Sequence, residues 1–139
     1  MFRRAFLKST MVIGLISIGC SATPWRGMKK IGLVQSFHGP NAESAMATHV
    51  MIRDLIIEHN LRGGVNGFRL ELASLDDEAN PATLTQRIAE LETDPMIEII
   101  LVKTDIPGVA LPAATAPVRM VAGSDSARRI LLEFLRDVR

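Results

Sequence analysis

The stretch from Asn60 to Pro81, NLRGGVNGFRLELASLDDEANP, constrains this chain more than any other. Gly63 or Gly64 can take the left-handed conformation that closes a helix, because neither has a Cβ to clash. Asn66-Gly67 is a turn pair that reverses the chain. Phe68, Leu70 and Leu72 then alternate with Arg69 and Glu71, the period of a half-buried strand. Asp76-Asp77 ends the strand, and Pro81 opens a helix at a position where its missing N–H costs nothing. A strand apolar on one face belongs at the edge of an α/β sheet, since central parallel strands are apolar on both faces.

The flanking sequence supplies the other elements. Lys30 to Gln35 reads as strand one, with Gly32 suited to close approach of a helix. Asn41 to Leu61 reads as a long helix with Asn41 as its N-cap. Its buried stripe is expected at Ala45, His49, Ile52 and Ile56, with Met46, Val50 and Ile57 beside it; His49 reads as a core-edge residue. After Pro81, Leu84, Ile88 and Leu91 recur at helical spacing, with Gln86, Arg87, Glu90 and Glu92 assigned to water. Ile97 to Val102 is apolar on both faces and is expected in the sheet centre. Pro107, Pro112 and Pro117 leave room for a short helix at most, because Pro112 would break a full one. Val118 to Ala122 reads as strand four. Ser124 or Asp125 then caps a last helix that buries Ile130, Leu131, Phe134, Leu135 and Val138. The order β-α-β-α-β-(short α)-β-α with right-handed crossovers predicts an α/β fold. It is a small doubly wound parallel sheet of about four strands, in the order 2-1-3-4, with helices on both faces.

The stretch GGVNG, the alternating strand, the following Asp pair and Pro81 together resemble the first lobe of the branched-chain amino-acid-binding proteins. These are solute receptors of ABC importers with the type 1 periplasmic-binding fold. Lys30-Ile31-Gly32-Leu33-Val34 followed by His38-Gly39-Pro40-Asn41 is similar to the family's first strand and its Thr-Gly-Pro turn. The resemblance covers roughly residues 29 to 126. It implies a non-enzymatic, extracytoplasmic solute-binding component for branched-chain amino acids or related small solutes such as amides or urea, with an ABC permease as partner. It also implies a chain truncated to its first lobe, with residues 29–139 forming that lobe.

Residues 1–22 read as a signal peptide. Arg3-Arg4-Ala5-Phe6-Leu7-Lys8 matches the twin-arginine pattern, with Phe2 where Ser or Thr is usual. The apolar run from Met11 to Ile18 is too short to span a bilayer. Cleavage after Ala22 leaves small residues at the positions a signal peptidase prefers. Ile18-Gly19-Cys20 alternatively resembles the end of a lipobox, which makes Cys20 a candidate for lipidation and membrane anchoring. Residues 23–28 read as a linker.

Composition excludes several functions. Three of the 16 basic side chains, Arg3, Arg4 and Lys8, precede Thr23 with no acid among them, so 13 basic residues face 15 acidic ones thereafter, a net of −2. Such a balance gives no electrostatic reason to bind nucleic acid. Tyr is absent and aromatic residues make up 4%, too few for the stacking platforms of single-stranded nucleic-acid sites. The single Cys20 excludes an internal disulfide and a cysteine metal cluster, and His38, His49 and His59 lack ligand spacing. Neither a metal nor a cofactor is expected. A phosphoacceptor reading of Asp76-Asp77 lacks the further acid that it needs after strand one. No order of Ser, His and Asp points to catalysis.

Ligands of open α/β sheets bind beyond the carboxyl ends of the strands where strand order reverses, here between the loops after strands one and three. Those loops give Gln35, Ser36, Phe37 and His38, and Lys103, Thr104 and Asp105; the loop after strand four adds Gly123, Ser124, Asp125 and Ser126. The family resemblance singles out Thr104, Ser124 and Ser126 as hydroxyl donors to an amino acid. Ser36, His38 and Asp105 complete the candidate ligand-binding set. Lys103-Thr104-Asp105 departs from the family's Gly- and Ser-rich loop. The alternative to solute binding is a non-transport interaction or regulatory module, pairing with itself as a homodimer or with a partner through the exposed sheet edge. A third reading is an inactive remnant of such a receptor.

Overall fold

A computed structural model describes residues 24–109, 111, 114 and 116–138. The stretch read as a twin-arginine signal peptide, residues 1–22 with Cys20, lies outside the described residues. The chain forms β1 (Gly27–Gln35), α1 (Ala42–Leu61), β2 (Phe68–Asp76), α2 (Pro81–Glu92), β3 (Ile97–Lys103), β4 (Val118–Met120) and α3 (Ser124–Asp137). The four strands make one parallel sheet in the order β2-β1-β3-β4, as expected, with β2 at an edge and β3 inside. Between β3 and β4 the described residues show a turn at Pro107-Gly108 and no helix; Ala110, Pro112, Ala113 and Thr115 lie outside the description.

Each face of the sheet carries its own core. Ile31, Leu33, Ile99 and Leu101 pack with Ile52, Leu55 and Ile56 of α1 and Leu131 and Leu135 of α3. On the other face, Val34, Ile100 and Val102 pack with Leu84, Ile88 and Leu91 of α2. A Cβ on Gly32 would lie 2.9 Å from Leu91 Cδ1, so the glycine admits α2 as its position suggested. Along α1 the buried residues are Ala45, Thr48, Ile52, Leu55 and Ile56, while Met46 and Ile57 are exposed. The buried stripe is thus turned towards Thr48 and Leu55 relative to the expectation, because α1 meets both the sheet and α3. His49 is half-buried at the core edge, its ring edge-on to Phe37 at 6.1 Å.

The junction after α1 forms as its residues dictate. Gly63 and Gly64 have φ of +97° and +71°, and Asn66 and Gly67 have φ of +51° and +81°. Val65 and Phe68 exchange two backbone hydrogen bonds across that turn, of 3.0 and 2.9 Å. The amide of Asn60 binds both the N–H and the C=O of Leu70 at 2.9 Å, acting as a substitute strand partner. Val65 and Asn60 therefore cover the start of the β2 edge, the type of surface that otherwise invites pairing with another chain.

Several boundaries differ from the expectation. β1 starts at Gly27, inside the stretch read as a linker, because Gly27, Met28 and Lys29 pair with Phe68, Arg69 and Leu70. Arg26 and Lys29 stack their cations on the Phe68 ring at 5.1 and 4.8 Å, so charged side chains cover this apolar corner. Strand β4 ends at Met120, two residues early. Asn41 stands at the N-cap of α1 but makes no cap bond, since its Nδ2 donates to Asp105 instead. The N-cap of α3 is Gly123, and Ser126 reaches back to accept from the N–H groups of Gly123 and Ala122. Arg87 does not simply face water: its Nε donates to the carbonyl of Asp76 and its Nη1 to Glu90. Glu92 likewise turns inward to accept from the N–H of Ala116.

Candidate functional site

The register places Gln35 of β1 beside Asp76 of β2 and Lys103 of β3, so three strands end at one level. The next residues form the floor of the site. Asp77 is fully buried and joins three loops. Its carboxyl accepts from Ser36 Oγ at 2.8 Å, from the hydroxyl of Thr104, and from the N–H of Ala79 at 2.8 Å. Ser36 Oγ in turn accepts from the N–H of Asp105 at 3.1 Å. Glu78 and Ala79, both with left-handed φ of +55° and +54°, are held there by the carboxyls two residues before them.

Asp76 gathers a second, more exposed set. Its Oδ1 accepts from the N–H groups of Phe37 (3.3 Å) and Glu78 (2.9 Å), and its Oδ2 lies 2.7 Å from His38 Nδ1. Burial works against the ionised form, yet the two N–H donors and His38 together hold the Asp76 carboxyl below its ordinary range.

Beyond the ends of β3 and β4 lies an open cavity of about 480 Å³, lined by Asn41, Ser44, Lys103, Thr104, Asp105, Met120, Val121 and Ala122. Asn41 and Ser44 belong to the start of α1, and Ala122 immediately precedes the N-cap of α3. Asp105 is tied to α1 by the 2.8 Å bond from Asn41. Of the residues singled out in the sequence, Thr104 and Asp105 line this cavity. Ser36 lies behind it, buried and turned to Asp77. Ser124 is not among the lining residues, and its Oγ lies 3.1 Å from Thr48 Oγ1. Ser126 donates to the Gly123 carbonyl and accepts two N–H bonds at the start of α3. His38 stands on the β2 side with Asp76.

Two residues that sequence reasoning placed at the end of strand one and in the loop after strand three, without expecting burial, are buried here. Gln35 is fully buried with neither amide atom partnered. Lys103 is 8% exposed and lines the cavity. The signal for both was a polar residue at the last position of an otherwise apolar strand. A larger groove of about 660 Å³ lies between α1 and α3, lined by Met46, Val50, Met51 and Leu55, away from the strand ends. Glu43, Asp54, Glu58 and Arg128 also line it, and it stands away from the carboxyl strand ends where open α/β sheets take their ligands. Among the described residues no three His, Cys, Asp or Glu side chains gather into a metal site, and no helix is long and apolar enough to cross a membrane.

The fold and this arrangement of strand ends define a single lobe of a periplasmic-binding fold. Solved structures share it. An extracellular ligand-binding receptor from Verminephrobacter eiseniae is 22% identical over 74% of this chain and 31% of its own, with a TM-score of 0.57. A protein described as a possible leucine/isoleucine/valine-binding protein from Rhodopirellula baltica is 23% identical over 62% of this chain and 24% of its own, with a TM-score of 0.52. The chain spans about a fifth to a third of the length of the solved proteins it matches. No protein-family model and no curated protein matches the sequence.

Proposed function

We propose that this lobe binds a small polar solute at the ends of β3 and β4, as part of an extracytoplasmic receptor for an ABC importer. Branched-chain amino acids, short amides and urea are the solute classes in view. The observation that carries the reading is the cavity of about 480 Å³ at the carboxyl ends of parallel strands, with the polar groups of Asn41, Thr104 and Asp105 converging on it. The buried Ser36–Asp77–Thr104 network fixes two of the loops that shape it, so the site is largely preformed. Delivery follows from Arg3-Arg4 and Phe6-Leu7-Lys8, with either cleavage after Ala22 or lipidation of Cys20. Replacing both arginines by Lys is expected to hold the protein in the cytoplasm; unchanged export would rule out the twin-arginine route. Solute binding is tested by nuclear magnetic resonance titration of the labelled 139-residue chain with leucine, valine and urea. Saturable shifts at Thr104, Asp105 and Ala122 are expected, and shifts confined to the α1–α3 groove would favour an interaction module instead.

A further inference from the structure

We propose that Lys103 makes this a site for a carboxylate, so that the charge of the solute, more than its apolar part, decides what the lobe accepts. The inference rests on the solute-binding reading and adds the chemical group that is recognised. Lys103 is the last residue of β3 and lies on the face that carries Ile99 and Leu101, opposite α2. It is more than nine-tenths buried, and it lines the cavity. Among the described residues it makes no ion pair: the seven pairs formed there use Lys29, Lys30, His38, Arg53, Arg62, Arg87 and Arg136. The nearest acid along the chain, Asp105, is exposed and engages Asn41. Among the described residues Gln35 supplies the only fully enclosed side-chain atoms without a partner, so the ammonium of Lys103 still reaches solvent, and its residue lines the cavity.

An ammonium held in place by a buried aliphatic stem and left without a counter-ion attracts an anion entering the cavity more strongly than it would in bulk water. The surroundings favour the same sign. The N-cap of α1, Asn41, lines the cavity, and α3 starts two residues beyond Ala122, so the free N–H ends of two helices flank it. A ligand carboxylate would meet the ammonium and helix N-termini together, with the Asn41 amide beside it.

The test compares isovalerate with isovaleramide, which share a shape and differ in charge, in titrations of the isotopically labelled chain. Isovalerate is expected to bind at least about tenfold more tightly, as hydrogen bonds to charged groups allow, and to shift the side-chain signals of Lys103. Lys103→Met should abolish that preference while leaving the thermal midpoint close to that of the unsubstituted chain, and Lys103→Arg should retain most of it. Equal binding of the two probes at Thr104 and Asp105 would overturn the assignment to Lys103 and leave solute binding standing. Binding of neither probe, nor of leucine, would overturn both. The two probes decide on the unsubstituted chain even if Lys103→Met does not fold.

Discussion

Ser36 Oγ donates to Asp77 Oδ1 over 2.8 Å, joining the loop after β1 to the loop after β2, with the hydroxyl of Thr104 from the loop after β3 on the other oxygen. One buried carboxyl thus fixes three strand ends. We predict that Asp77→Ala, which leaves two hydroxyls and the Ala79 N–H without their acceptor, lowers stability by roughly 2–3 kcal/mol. Urea denaturation checks this. A loss near zero would mean that the loops hold their shape without Asp77.

The two glycines that close α1 should respond unequally to substitution. Both are left-handed, but a Cβ on Gly63 meets nothing within 4 Å, whereas one on Gly64 collides with the carbonyl oxygen of Phe68. Gly63→Ala should cost about 1–2 kcal/mol for its backbone conformation alone. Gly64→Ala should cost clearly more, and equal losses in parallel denaturant titrations would contradict the tight turn at Val65–Phe68.

Leu101 is fully buried on the face covered by α1 and α3. Leu101→Ala is expected to cost roughly 2–5 kcal/mol in chemical denaturation, as truncation of a buried leucine does. Stability unchanged by this substitution would show that β3 is not an interior strand.

The pH dependence follows from Lys30 and Asp94, 2.8 Å apart at the opposite end of the sheet. The hydrogen bond from Lys30, with help from the Met96 N–H, holds the Asp94 carboxyl below its ordinary range, and the same bond raises Lys30. The Asp94 contribution is therefore complete above the unfolded carboxylate range and is lost as pH falls through the lower folded value. The Lys30 contribution is complete below its unfolded range and is lost as pH rises through the raised folded value. Asp76 acts in the same direction as Asp94. The stability advantage of the unsubstituted chain over Asp94→Asn should be level at neutral pH and shrink in acid. An advantage that grows in acid would refute the pairing.

How much of this was legible in the sequence varied with the range of the interaction involved. Among the described residues the apolar pattern located each helix and strand, since Leu84, Ile88 and Leu91, or Ile99 to Val102, meet the core through local geometry alone. The early start of β1 was hidden because Arg26 and Lys29 cover Phe68 with cations, and alternation records only apolar residues. The turned stripe of α1 was hidden because Thr48 and Leu55 are buried by more than one neighbour. At the site, Thr104 and Asp105 were legible from topology, which requires loops at strand ends. The role of Asp77 was not, because Ser36 and Thr104 reach it from 41 and 27 residues away. Lys103 was read as a loop residue and Gln35 as the end of strand one, with burial expected of neither, because polar residues are rarely buried at the end of an apolar strand.

In the proposed mode of binding, a small solute docks beyond β3 and β4. A neutral hydrogen bond open to water gives about 0.5–1.5 kcal/mol and one to a charged group about 1.5–3 kcal/mol, so the few donors at this cavity fall short of the −8.2 kcal/mol of a micromolar complex. Titration of leucine into the labelled chain, verified as a monomer, measures both place and strength. We predict saturable shifts at Thr104, Asp105 and Ala122 with a dissociation constant no tighter than about millimolar. A micromolar constant from the monomer, or saturable shifts that avoid these three residues, would contradict the account.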